Sequence, residues 1–230
     1  MAHEANLNDF LTSWVYNSVN TLTATDTKPA KARGQYFDGT STVRMAYSDF
    51  ALNIHFTISA WVRPDTVSAD ATIYSRDDDS PQTSFKMFIN SSNNLAAGIG
   101  EPGNLTNMET KTGTQSVPNA TWTFVAAGVQ LNSDAVTATV NLKVNAESDE
   151  TSTTAGGVYY LDDATSQKGF VGARRVGDAA NNSDRLTGFI FRIDIENVYQ
   201  TGTRSQHYAG ACTSCSDTGT TCLTADGVCG

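Results

Sequence analysis

The chain has 230 residues, 39% of them apolar and 17% charged, with a formal net charge of -9. Such an acidic surface repels phosphate backbones and argues against nucleic acid as a partner. No run of about 18 apolar residues is present, so no helical membrane span is expected. The remainder is rich in Thr, Ser, Asn and Gly, which suits many short strands with polar outer faces rather than helix bundles.

Residues 1–33 read as a polar N-terminal arm. It carries one apolar knot, Trp14-Val15-Tyr16, and then a Thr-, Lys- and Ala-rich stretch with Pro29. This arm is expected to lie extended over the domain that follows. Residues 1–30 show neither a basic n-region nor an apolar h-region, so the expectation is either that the signal peptide is absent from this sequence or that the chain is a fragment of something longer.

From Gly34 to about Gln200 the chain breaks into short alternating segments. In His55–Arg63, Phe56, Ile58, Ala60 and Val62 share one face, and Trp61 falls on the other, toward a second, partly covered surface. Ser84–Asn90 sets Phe85, Met87 and Ile89 against Ser84, Lys86 and Asn90. Thr123–Gln130 sets Val125 and Val129 against Phe124. The clearest alternation is Val136–Asn145, with Val136, Ala138, Val140, Leu142 and Val144 inward. Last come Phe189, Phe191, Ile193 and Ile195, opposed to Ile190, Arg192, Asp194 and Glu196. Period two with β-branched residues predicts strands, and one wet face per strand predicts antiparallel sheets. Turn signals punctuate them at Asp38-Gly39, Asp77–Pro81, Glu101–Asn104 and Gly156-Gly157. An all-β, two-sheet antiparallel sandwich over residues 34–204 is the natural way to bury so many inner faces.

The tail, residues 205–230, holds all four cysteines: Cys212, Cys215, Cys222 and Cys229. Two disulfides in an oxidising compartment are expected, with three pairings open. The competing reading is a metal knuckle, because Cys-x2-Cys-x6-Cys-x6-Cys resembles the front half of a fungal zinc-cluster motif. The second half is missing, and no Lys or Arg follows Arg204 to meet DNA. The stop at Cys229-Gly230 reads as an interrupted cysteine-rich module. Four glycosylation sequons, at Asn90, Asn104, Asn119 and Asn181, point with the cysteines to a secreted or surface glycoprotein.

Several segments together resemble a laminin-G-like domain, the concanavalin-A-like jelly roll. They are Gln35–Gly39, Phe56–Pro64, Ile73–Asp77, Trp122–Ala126, Gly169–Gly172 and Leu186–Ile190. The resemblance implies a jelly-roll sandwich followed by a short disulfide-rich tail. It also implies an extracellular recognition, adhesion or structural role, with other extracellular proteins, copies of the same chain, or glycans as partners. Asp38-Gly39 would turn the chain through positive φ. Gly172 would let a strand pass close to a neighbour.

Relatives with this jelly roll include glycan hydrolases, whose Glu-x-Asp-x-Glu puts three acids on one side of a strand. Glu147-Ser148-Asp149-Glu150 is one residue out of register, so its last acid falls on the opposite pleat. Histidines 3, 55 and 207 form no triad with a nucleophile elbow, and the chain is expected not to be an enzyme. Calcium is the one cofactor the family suggests. Asp77, Asp78 and Asp79 are its candidate ligands, with Asp38 or the Gly39 carbonyl as lesser ones. A second calcium site of related glucanases expects an Asp after Gly188-Phe189-Ile190, where this chain has Phe191. For the alternative function, a calcium-dependent carbohydrate-binding lectin, the pool of contacts is Trp61, Tyr74, Tyr159, Tyr160, Asn93 and Asn94.

Overall fold

The structure is a computed structural model of the whole chain. It describes residues 3–6, 35–39, 45–48, 55–77, 83–101, 104–132, 137–145, 147–154, 168–175, 182–196 and 199. The strands in chain order are β1 (His3–Asn6), β2 (Gln35–Asp38), β3 (Met45–Ser48), β4 (His55–Pro64), β5 (Ala71–Asp77), β6 (Thr83–Ile89), β7 (Asn94–Glu101) and β8 (Asn104–Ser116). They continue with β9 (Thr123–Leu131), β10 (Ala138–Val144), β11 (Glu150–Thr153), β12 (Lys168–Val171), β13 (Arg174–Arg175), β14 (Asn182–Ser183) and β15 (Thr187–Glu196). No helix occurs among the described residues, so none there is long and apolar enough to cross a membrane.

Seven strands form one antiparallel sheet in the order β1-β15-β4-β9-β10-β11, with β2 also paired to β15. Six form a second, in the order β3-β12-β5-β6-β7-β8. The expected all-β, two-sheet antiparallel sandwich is therefore present. Its core takes Phe56, Ile58, Ala60 and Val62 from β4 and Val125, Ala127 and Val129 from β9. From the other sheet it takes Phe85, Met87, Ile89, Leu95, Ala97 and Ile99. These are the alternate positions of each strand, the half of the chain that leaves water when two pleated faces meet. Phe56 and Phe85 join the sheets edge to face, with ring centroids 4.9 Å apart.

The period-two reading fails in one place. The register of β15 against β4 shifts between Ile190 and Ile193, a bulge that resets which side each residue takes. Ile190, Ile193 and Ile195 all enter the core, while Phe189 lies on the opposite face. The expected alignment of Phe189 with Ile193 and Ile195 is thus overturned by one added residue.

The outer face of the seven-stranded sheet holds a second apolar cluster of Trp61, Trp122, Phe124, Ala126 and Phe189, with Tyr36 packed against it. Trp61 meets Phe124 edge to face at 5.8 Å, and Tyr36 meets Phe189 at 4.9 Å. Asn141, expected to face water, is fully buried and donates to Thr151 Oγ1 at 3.0 Å.

Two glycines fix the ends of this frame. Gly39 has φ +73° and Gly172 has φ +79°, a region that L side chains rarely adopt. At Gly172 the backbone runs against the face of Phe37, so that a Cβ there would overlap the ring. The adjoining chain is tied by Gly172 N–H to Ile73 O (3.1 Å) and Leu186 N–H to Gly172 O (2.9 Å).

Candidate functional site

The acidic segment 147–150 was the one catalytic candidate in the sequence, and the carboxylates of Asp149 and Glu150 are engaged within the sandwich. Glu150 accepts from Thr114 N–H and from Thr114 Oγ1, both at 2.7 Å. Gln115 Nε2 donates to Ser148 O at 2.7 Å, and Gln115 Oε1 accepts from Val144 N–H at 3.0 Å. Lys143 Nζ donates to Glu147 O at 2.9 Å and pairs with Asp149 at 3.1 Å. Together these bonds tie β8, at the edge of one sheet, to the β10–β11 hairpin at the edge of the other. Replacing Glu150 with Ala is expected to cost about 1 kcal/mol, the usual net worth of such bonds. A urea titration of the variant reads this directly; an unchanged midpoint would mean that the brace carries no load.

The sugar-platform candidates divide. Trp61 and Tyr74 are buried in the two apolar clusters and offer no stacking surface. Asn93 and Asn94 belong to the β6–β7 turn, where Asn93 N–H donates to Asn90 O and Asn90 N–H to Asn94 O. Tyr159 and Tyr160 lie outside the described residues. So do Asp78 and Asp79, the four cysteines, and Asn181. Asp77 ends β5, in register with Lys168 and Thr83. Among the described residues no three His, Cys, Asp or Glu side chains converge as a metal site requires, and two of the three candidate calcium ligands lie outside those residues.

Two sequons sit on turns. Asn119 is exposed in the β8–β9 connection. Asn90 uses its Oδ1 to accept from Ser92 N–H (2.9 Å) and Asn94 N–H (3.0 Å). Those bonds leave out the amide nitrogen, the atom that would carry a glycan. Asn104 begins β8.

A polar cluster that the sequence did not disclose lies on the outer face of the six-stranded sheet. Phe170, Ser75, Lys86 and Gly98 stand opposite one another across four strands, and Thr72, Phe88 and Ala96 form the next row. Lys86 is the centre. Its side chain is only 5% exposed, yet Nζ reaches Asp184 at 2.9 Å and Asp70 at 3.1 Å. The same ammonium lies 3.8 Å from the Phe88 ring centroid. Arg174 approaches Asp184 from the other side at 3.7 Å. Asp184 holds φ +51°, and its carbonyl accepts from Thr72 N–H at 2.8 Å. Beside it, Arg185 Nε and Thr72 Oγ1 are buried with no hydrogen-bond partner among the described residues. The result is a cluster where Lys86 and Arg174 face two carboxylates, with Arg185 next to Asp184 in the chain. A solute carboxylate or hydroxyl group would find guanidinium donors and Asp acceptors there.

A doubly layered antiparallel sandwich of this kind is the fold of concanavalin A-like proteins. The chain belongs to the Laminin_G_3 family of the concanavalin A-like lectin/glucanases superfamily, whose profile matches residues 37–202. Among solved structures it is similar to the Ruminococcus gnavus IT-sialidase CBM40 bound to α2,3-sialyllactose. That match has 14% identity and a TM-score of 0.54, and covers 74% of this chain and 89% of that one. It is also similar to the native heptameric SAP-like pentraxin from Limulus polyphemus, at 14% identity and TM-score 0.50, covering 72% and 76%. A third match is the NanB sialidase from Streptococcus pneumoniae, in its K499G mutant, at 11% identity and TM-score 0.53. It covers 75% of this chain but 26% of that enzyme. At these identities the likeness is one of fold. No curated protein matches the chain in sequence.

Proposed function

We propose that the chain is a non-catalytic recognition domain of an extracellular protein, and that it binds an acidic glycan at the cluster formed by Arg174, Asp184 and Arg185. The observation that carries this reading is the convergence of two cations, Lys86 and Arg174, on Asp184 in a chain with net charge -9. Arg185, next to Asp184 in the chain, has a buried Nε with no partner among the described residues. The bound sialyllactose of the R. gnavus CBM40, which shares the fold, supports the ligand class. Sugar hydroxyls would meet the Asp70 and Asp184 oxygens, and a sugar carboxylate would meet the guanidinium groups. Phe88 is already covered by Lys86, so recognition here is polar rather than by stacking.

A glycan array carrying sialylated, uronate-containing and neutral sugars tests this. Retention of acidic glycans is expected, falling by about 10-fold or more in Arg185→Ala, the loss of one charge-assisted bond. Retention that ignores the substitution, or is confined to neutral sugars, refutes the assignment. Calcium remains a proposal on Asp77, Asp78 and Asp79, read by repeating the array with a chelator. Secretion and glycosylation are proposed on the cysteines and on the turn positions of Asn90 and Asn119. An adhesive or structural-assembly role, with other extracellular proteins or copies of the chain as partners, is a second reading. It is favoured by the edge of β15.

A further inference from the structure

We propose that His3–Asn6 is an exchangeable edge strand, which in a second copy of this chain takes the place it holds in its own. This inference deepens the assembly reading and is independent of glycan binding. It starts from the pairing of β15. A strand has two edges, and β4 occupies one of them along residues 188–196. β1 and β2 must therefore share the other. β2 pairs with Thr187–Ile190 and β1 with Arg192–Ile195, both antiparallel, so the two run in line along one edge.

Their junction is unusual. Asn6 stands opposite Arg192 and Gln35 opposite Ile190, so only Phe191 of the partner strand separates the two registers. One or two residues would bridge such a gap. The chain instead places residues 7–34 there, roughly 28 residues with a reach of about 90 Å when extended. That is far more than the edge requires and enough to carry β1 to a neighbouring molecule.

What β1 covers favours a replaceable partner. Ile193 and Ile195 are core residues, and without β1 their backbone groups form an open strand edge beside the core. The sequence of β1, His-Glu-Ala-Asn, brings a single aliphatic residue, Ala5, opposite Ile193. Its attachment is therefore mainly main-chain hydrogen bonding, which an identical strand from another copy supplies equally well. Glu4 stands in register with Asp194. Exchange through a long hinge is a common route to closed dimers and, when the operation does not close, to open chains. Tethering through residues 7–34 gives β1 an effective concentration at its own edge, set by the length of that connection. Crowded copies compete with that, and dilute ones do not.

Cysteine trapping tests the exchange. Chains carrying only Glu4→Cys are mixed with chains carrying only Asp194→Cys under mild oxidation, and the linked peptides are identified by mass spectrometry. A 4–194 disulfide between chains is expected, rising with protein concentration and with salt, which screens the repulsion between copies. The same experiment with Asp38→Cys and Thr187→Cys, register partners on β2, is expected to give at least tenfold less, because β2 lies beyond the hinge. The double variant Glu4→Cys/Asp194→Cys in dilute solution is expected to close within one chain. Closure within one chain with none between chains at any concentration overturns the proposal, and so does failure to close at all. Should the variants not fold, light scattering of the unmodified chain reads the same quantity. A mass that rises with concentration and falls back in Ala5→Pro supports exchange, whereas a monomeric mass throughout overturns it.

Discussion

Gly172→Ala is expected to destabilise the domain by about 3–5 kcal/mol, through two effects that act together. A non-glycine residue at φ +79° carries backbone strain of about 1–3 kcal/mol. The new methyl also overlaps Phe37, a fully buried ring. Overpacking of that kind costs about 1–3 kcal/mol more. A domain of this size has about 5–15 kcal/mol in total, so the melting midpoint should fall by about 10 °C or more. A thermal melt followed by circular dichroism measures it. A shift of only a degree or two would show that the glycine and the ring are not pressed together.

The second large effect is an asymmetry around Lys86. Asp184→Asn is expected to cost about 2–3 kcal/mol, whereas Lys86→Met should stay within about 1 kcal/mol of the parent. Removing the acid leaves an ammonium, almost wholly buried, with Asp70 as its one remaining carboxylate among the described residues. Removing the cation leaves two carboxylates whose side chains are 38% and 26% exposed, so water can take them over. Met also keeps the stem of Lys86 packed near Phe88. The figure for Asp184 is already reduced for its partial exposure. Asn is the right replacement because it tolerates the positive φ that Asp184 holds, so the comparison isolates charge. Denaturant titrations of both variants decide it, and equal losses would mean that burial of the cation is not what makes the cluster costly to break.

What the sequence disclosed follows from how far apart in the chain the deciding contacts lie. β10 was legible because alternation is local: Ala138, Val140, Leu142 and Val144 turn inward as their spacing predicts. β8 was not, since Asn104–Ser116 contains too few apolar residues to alternate, and its place is set by pairing with β7. The bulge in β15 was invisible because it depends on the register against β4, not on composition. Gly39 and Gly172 were legible as special backbone positions, though the ring against Gly172 was not. The Lys86 cluster left one trace, a charge in the middle of an apolar strand. Its partners lie 16 and 98 residues away, beyond any local pattern. Glu147–Glu150 shows the opposite: a register argument against catalysis came from spacing alone, and the bonds to Thr114 and Lys143 supply the structural use of the same acids.

The position of β15 has a consequence for how the molecule comes into being. It is the last of the described strands, yet its neighbours β1, β2 and β4 all come from the first 64 residues. During synthesis on the ribosome those early segments must wait for β15 to pair with them until nearly two hundred residues have emerged. Contacts of such long sequence separation make for slow folding. The nascent protein is thus a natural client for chaperones, and its yield on expression should depend on them more than its final stability would indicate.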